Sequence, residues 1–496
     1  MVSLLARAGM TVASSGTTSP LTLGNALGAV APNLCSFMDF VTAGAVDGKT
    51  YRYLILDSNG NWEIGKGVYT ASGTTLARNV QFSSNGNAAI AMTSSAQIFV
   101  APIQDDLISV TDDQTALFNQ TEKAQARLNV GAAPIEALAG NVLNINSGAE
   151  VSQENGTSAV TLTATSSLQT KYIVDGVMAA YRGTFVATAQ QVTDAPNGFK
   201  NAVKFTVGTA QSSMGANDEL GVLIPVEGVR CTKLAFGAAG ANVLAVWFWV
   251  KAHRTGDYSG SLRNSAKTRS YPFKFTVLVS DMWEYKSLII AGDTTGTWLT
   301  DSNVGLYLNI CIAGGSSRVG SGGWAGADYS GLTSTTNGVA STSDAFSISG
   351  VGTLPLVAGV TVGDLPDALH SPFIALDYEA ALPACQKYYW KTFARSRNPA
   401  QATNDFSGAI QVRGPFPFPA IKVTFPVTMC AAPAITFFNP KNANTNWYNQ
   451  DTGADSGPSA AQNVSEGGFV ALVGGTVAGD VSWNGFNVHA VANARL

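Results

Sequence analysis

Charge is scarce in this sequence. Only 12% of the 496 residues are Asp, Glu, Lys or Arg, and 29 basic against 33 acidic residues leave a net charge of −4. No Lys/Arg cluster breaks that pattern, so the chain lacks the basic footprint that nucleic acid or an anionic membrane selects. Neither is expected as a partner. Long apolar runs are missing as well: no window approaches the ~20 residues needed to span a bilayer, which excludes membrane insertion by a helix. The apolar stretch in MVSLLARAGMTVASSG is too short and interrupted for a secretory signal core, and a soluble protein is expected. Cys35, Cys231, Cys311, Cys385 and Cys430 stand far apart, with no C-x-x-C pair and no nearby His in ligand spacing. They read as buried free thiols, the odd count leaving an intermolecular disulfide open. No metal or cofactor is expected.

Catalytic equipment is equally sparse. His253, His370 and His489 are the only histidines, and none accompanies a G-x-S-x-G elbow. His253, in WVKAHRTGDYSG, reads as a structural residue at a strand end. The acids of the C-terminal half, Asp281, Glu284, Asp293, Asp301, Asp328, Asp344, Asp364 and Asp367, show no spacing that isolates the carboxylate pair of a glycoside hydrolase. A β-helix repeat is also absent. A non-enzymatic protein is expected.

What the chain does contain is 51 Gly together with abundant Thr, Ser, Val and Asn, the composition of β-sandwiches with tight turns. Its length suggests about three domains. In YRYLILDSNGNWEIGKGVY two strand-like runs, Tyr51 to Leu56 and Trp62 to Tyr69, flank an Asn-Gly turn and predict a hairpin. Asp57, Asn59, Asn61 and Glu63 alternate like the first ligands of a calcium loop, but Val68 occupies the place of the bidentate Glu, so the turn is the better reading. After residue 104 the texture changes to TEKAQARLNVGAAP, with Thr111 and Gln114 spaced as a capping box. Leu117, Ala124 and Leu128 share a narrow helical stripe that cannot hold a short helix folded alone. Periodicity leaves two readings, a self-associating neck or a helix packed on its own chain's sheet.

Beyond this helix the chain is β-rich again. ANVLAVWFWVKAHRTG is apolar on both faces and predicts a central strand buried on both sides. Residues 316–342 form a long Gly/Ser/Thr loop carrying Trp324 and Tyr329. The last region alternates strand-like runs with a long polar excursion over residues 441–465. The fold class is therefore mainly β: an N-terminal β domain (1–104), a helical linker (105–136), a large jelly-roll-like β-sandwich (137–381) and a smaller C-terminal β-sandwich (382–496).

Read in order, SPLTLGNALGAVAPNLCSFMDF with YRYLILDSNGNWEIGKGVYTASGTTLAR, then TEKAQARLNVGAAP, VLNINSGAEVSQENGTSAVTLT with YIVDGVMAA, and LPACQKYYWKTF resemble the tail fibre proteins of tailed bacteriophages. The resemblance spans nearly the whole chain and rests on structural signatures. Two positions depart from the pattern: Asn146 to Glu150 stands where a compact N-G-A-M turn is expected, and Val177 where an aromatic is expected. The resemblance implies a virion protein made in the host cytoplasm. Its N-terminal domain would join other tail or baseplate proteins, Leu117, Ala124 and Leu128 would form the neck of a homotrimer, and its distal domains would bind a host surface structure such as a glycan. Glycan recognition uses aromatic faces with amide and carboxylate groups around them. Trp447, Tyr448, Asn449 and Asp451, with Trp324 and Tyr329, lie in polar, turn-rich surroundings and are the candidate receptor-binding residues; Trp483 shares that setting. The alternative reading of each aromatic is a lid packed over its own sandwich edge. Two rival functions are a collar or neck fibre without receptor binding, and a depolymerase tail spike whose carboxylate pair forms only in space.

Overall fold

The computed structural model describes residues 5, 7–28, 36–100, 141–357, 360, 362–414, 419–474 and 484–496. The neck residues Leu117, Ala124 and Leu128, the linker as a whole, the boundaries at 104 and 136, Cys35 and Trp483 lie outside them. The chain divides into two units, Met1–Phe118 and Asn119–Leu496.

In the first unit six strands follow one another around a ring: Thr50–Leu56, Gln97–Val100, Gly9–Val12, Leu21–Ala26, Thr75–Leu76 and Trp62–Thr70. The last of these pairs again with the first, which closes the ring, and Asn79–Ser83 adds to it from outside. Closure leaves few unpaired strand edges. The predicted hairpin is present, with Leu56 opposite Trp62 and a turn in which Gly60 takes a φ of 79° that favours glycine. The Asp57 carboxylate accepts from the Thr93 backbone N–H at 3.1 Å, so the would-be calcium ligand instead ties the turn to its neighbour. Tyr51, Tyr53, Ile55, Leu21 and Ile98 fill the interior.

The second unit opens with a sandwich of two six-stranded antiparallel sheets. In the first sheet the spatial order is Ser270–Val277, Gly256–Asn264, Val304–Gly314, Glu219–Glu227, Val177–Arg182, Gln169–Val174. In the second it is Glu284–Ile290, Val243–Ala252, Ala345–Leu356, Ala202–Thr209, Val186–Val192, Val160–Thr163. The chain passes between the sheets repeatedly, as expected of a jelly-roll-like sandwich. Strand Val243–Ala252 is central and buried on both sides, as its sequence predicts. Leu244, Val246, Phe248 and Val250 face the inter-sheet core, whereas Ala245 and Trp247 pack outward against Leu365 and Ile374.

A second β assembly follows within the same unit. Tyr389–Lys391, Asn484–Asn493, Asn446–Asn449, Ala454–Ser465, Gly468–Val473 and Ala420–Thr424 are neighbours in that order, and Ile410–Gly414 and Ala434–Phe438 also pair with Asn484–Asn493. The expected boundary after residue 381 falls inside the helix Tyr378–Gln386, whose buried Ala381 and Cys385 pack with Ile145, Val151 and Tyr388. The polar excursion over 441–465 is mostly strand rather than loop. One face of Ala454–Ser465 meets solvent while Ala461 and Val464 pack against the core, so a mostly polar run holds a strand with few aliphatic anchors. Cys231, Cys311 and Cys385 are buried free thiols and Cys430 a partly buried one; burial pushes the first two up to about 12.

Candidate functional site

The strand Asn446–Asn449 separates the aromatic pair expected to face a receptor. Successive side chains on a strand point to opposite faces. Trp447 therefore turns inward, with 0% of its surface exposed, among Phe437, Phe469 and Phe486. Its Nε1–H donates to the Leu472 carbonyl at 2.7 Å, which satisfies its one polar atom. This corrects the expectation of a stacking face at Trp447. Asn449 is buried too, and its Oδ1 accepts from the N–H groups of Asp451 and Thr452 at 3.0 and 3.2 Å, shaping the following turn. Tyr448 is half-exposed with its ring 5.7 Å from that of Phe406, and Asp451 is exposed but accepts from the Gly485 N–H at 2.6 Å. Only Tyr448 and Asp451 remain available at the surface.

Trp324 and Tyr329 belong to a loop folded over the outer face of the first sheet. Trp324 packs edge-on against Phe236, Trp298 and Tyr271 at 5.7, 5.5 and 5.2 Å, and its Nε1–H donates to the Ala291 carbonyl at 2.8 Å. The Tyr329 ring lies so close to Gly320 that a Cβ there would come within 2.4 Å of it. Both side chains act as lids. Beneath them Arg318 reaches Glu219 at 2.9 Å and Asp328 at 2.7 Å, and Arg263 reaches Asp328 at 2.9 Å, a charged network that pins the loop.

Seven of the eight acids singled out by sequence are engaged as well, the side chain of Asp364 lying outside those described. Asp281 meets His253 at 2.8 Å, Asp367 meets His370 at 2.7 Å, Asp293 meets Arg269 at 2.6 Å and Glu284 meets Lys286 at 2.7 Å. Asp344 pairs with Arg254 at 3.0 Å, and Asp301 accepts from the Asn303 backbone and side chain. Burial pushes Asp293 and Asp328 up, but hydrogen bonds and charge from their arginines outweigh it, and both carboxyls lie below the ordinary carboxylate value.

A large concavity among the described residues is one that sequence did not suggest. A cleft of about 1050 Å³ runs between the sandwich and the second β assembly, at the upper end of the size of ligand sites. Four segments build it. The first is the opening stretch with Glu150, Ser152, Gln153 and Thr157; the second carries Gln191 near the end of the strand Val186–Val192 and Thr193, Lys200 and Asn201 in the connection to Ala202–Thr209. The third is the helix Tyr378–Gln386, capped by the Asp377 carboxylate on the Ala380 N–H at 2.9 Å. Its Tyr378, Leu382 and Gln386 recur every four residues and so share the face turned to the cleft. The fourth is the loop after Tyr389–Lys391, with Phe393, Arg395, Arg397 and Asn398.

Local contacts hold these walls in place. Gln153 donates through Nε2 to the Tyr389 carbonyl at 2.7 Å and to Asp175 at 3.0 Å, and Asn398 donates to the Asn155 carbonyl at 2.8 Å, so each links the two β assemblies. Asn201 donates to Glu150 at 2.9 Å. The Arg395 guanidinium lies over the Tyr378 ring, 3.2 Å from its centroid. Burial lowers Lys391 to about 8, and its ammonium donates to the Arg397 carbonyl at 2.6 Å. The Ser152 Oγ is buried without a hydrogen-bond partner. Nothing in the local sequence flags this site, because its residues come from positions up to about 250 apart and none forms a motif.

No protein-family model matches the sequence, and no curated protein matches it. Among solved structures, the chain is similar to the enzymatically active domain of tailspike protein 4 of bacteriophage CBA120, at 10% identity and a TM-score of 0.23, over 43% of this chain and 22% of that one. It is similar to a carbohydrate-binding module of the CBM4 type, at 10% identity and a TM-score of 0.22, over 43% of this chain and 99% of the module. A family 11 carbohydrate-binding module from a cellulosomal cellulase of Clostridium thermocellum gives 10% identity and a TM-score of 0.21, over 38% and 97%.

Proposed function

We propose that this chain is a non-enzymatic fibre subunit of a tailed-phage virion, and that the cleft binds a glycan of the host surface. In this reading residues 1–104 join it to other tail or baseplate proteins. The helix around Leu117, Ala124 and Leu128 gathers three copies, and the second unit makes the contact with the cell. The resemblance of the sequence segments supports the virion assignment. The observation that carries the glycan assignment is the make-up of the cleft. Its hydroxyls and amides, among them Thr157, Ser158, Thr193 and Gln386, supply the donors and acceptors that sugar hydroxyls need, and its volume admits several sugar units. A glycosidase needs one carboxyl held protonated, and Asp281, Glu284, Asp293, Asp301, Asp328 and Asp367 are all lowered, which argues against any of these six as that acid.

The test fills the cleft from its rim. Thr157 and Thr193 are exposed and line it. Replacing both with Trp should abolish binding of the purified full-length chain to host cells while leaving its melting temperature within a few degrees of the parent. Undiminished binding removes the cleft from consideration and returns attention to Tyr448 and Trp324. Release of reducing sugar from host polysaccharide by the unaltered chain would establish a depolymerase instead. A chain that stays on the particle but never meets the cell would be a collar fibre.

A further inference from the structure

We infer that the cleft selects an acidic glycan, one bearing carboxylate or phosphate groups, through Lys200 on the sandwich wall and Arg395 on the opposite wall. This rests on the cleft being the glycan site.

The charged residues lining the cleft are Lys200, Lys391, Arg395 and Arg397 against Glu150 alone. That balance is opposite to the chain's own, in which acids outnumber bases by 33 to 29. Glu150 does not neutralise any of the four, because the partner of its carboxylate is the Asn201 amide. Two of the cations have structural work. Lys391 spends its ammonium on the backbone carbonyls of Arg397 and Arg395, at 2.6 and 3.5 Å, and so fixes the loop that carries both arginines. Arg397 is drawn to Asp405 at 3.4 Å.

Lys200 and Arg395 differ from these. Both are exposed, and neither side chain makes a hydrogen bond or ion pair with another described residue. The guanidinium of Arg395 is nevertheless held, because its flat face rests on Tyr378 while its N–H edge stays unused. Stacking restricts the planar fork and leaves its donors free, the arrangement that suits bidentate capture of a carboxylate or phosphate. Lys200 supplies a compact second charge from the other wall. A concave surface with a cation excess concentrates the field on whatever enters it. A neutral sugar would use the amides and hydroxyls and leave both cations idle, whereas an oxyanion on the same sugar engages them.

The full-length chain should be offered three immobilised polymers: polygalacturonate, its carboxyl-reduced neutral form, and a poly(glycerol phosphate). Retention of polygalacturonate or of poly(glycerol phosphate) about tenfold above the neutral form is the expected result, and which of the two is retained distinguishes carboxylate from phosphate. That preference should shrink as salt is raised. The double change Lys200→Gln, Arg395→Gln should erase it at unchanged melting temperature, since both side chains are exposed. Equal retention of acidic and neutral polymers, or a preference the double variant keeps, overturns the charge selection and leaves glycan binding standing. Host-cell binding that Thr157→Trp with Thr193→Trp abolishes but Lys200→Gln with Arg395→Gln does not touch overturns it in the same way. Failure of Thr157→Trp with Thr193→Trp to affect host-cell binding overturns the cleft assignment, and charge selection there falls with it.

Discussion

At the scale of single residues, the fate of Trp447 shows how a side chain's neighbours in sequence mislead about its neighbours in space. Asn446, Tyr448 and Asn449 surround it with polarity, yet the ring is enclosed by phenylalanines and its N–H has a carbonyl partner. Truncation would leave a large cavity and free the Leu472 carbonyl. Trp447→Ala should therefore cost about 3–5 kcal/mol, read by chemical denaturation of the full chain. Tyr448→Ala, one position away on the solvent face, should cost under about 1 kcal/mol. Loss of cell binding by the Trp447 variant should track its unfolding. A Tyr448 variant that is as unstable as the Trp447 variant would contradict this division of faces.

At the scale of the element, the strand Asn484–Asn493 carries the second β assembly. Its residues 484–488 pair with Ile410–Gly414, and from His489 onward it pairs with Ala434–Phe438. The change of partner falls on a histidine with no exposed surface, stacked on Phe393 at 4.0 Å between ring centroids. Its Nε2 lies 3.0 Å from the Asp405 carbonyl, which can only accept, so Nε2 carries the proton. Nδ1, 2.9 Å from the Thr392 hydroxyl, is then the acceptor, and the neutral ring is satisfied at both ends. Burial lowers His489 below its ordinary value of 6.5 despite the opposing pull of Asp405. The unfolded chain therefore takes up the proton first as pH falls. Stability is complete above about 6.5 and declines as the pH drops toward the lower folded value. Melting temperatures measured between pH 8 and 5 should fall below pH 6.5 in the parent. In His489→Gln, which offers an amide donor and an acceptor without a charge, the decline should be shallower. An equal decline in both would assign it to other groups.

At the scale of the second unit, the sandwich and the second β assembly are joined by a buried charge. The Arg495 guanidinium lies between the rings of Tyr172 and Tyr389, 4.4 and 3.7 Å from their centroids, with Asp175 at 3.8 Å and Glu154 beside it. Burial raises the Asp175 carboxyl, and Arg495 is the charge that opposes this. A second tie runs from Lys387 and Tyr388 to the buried Glu227, the tyrosine hydroxyl donating at 2.8 Å. Arg495→Ala leaves Asp175 enclosed without its counter-charge and removes two stacking contacts. Breaking such a pair costs about 3–5 kcal/mol. The expected outcome in calorimetry is that one transition for this unit becomes two, as the assemblies melt separately, and that retention of host glycan weakens because the cleft walls are no longer held. A single unchanged transition would mean that the junction rests on other contacts.

The β class, the Asn-Gly hairpin of the first unit, and the central strand Val243–Ala252 with apolar residues on both faces are legible from runs of ten or so residues. That is possible because strand periodicity and turn chemistry are local, set by which side chain follows which. The lid role of Trp324, the inward turn of Trp447 and the cleft were decided only by tertiary structure. Gln153 reaches the Tyr389 carbonyl across 236 positions, and Arg495 reaches Glu154 across 341. Contacts at such separation depend on how whole sheets pack, and no short stretch of sequence carries that information. The alternation of Asn446–Asn449 was written in the chain, but which of its two faces would meet the core depended on the sheet that formed around it.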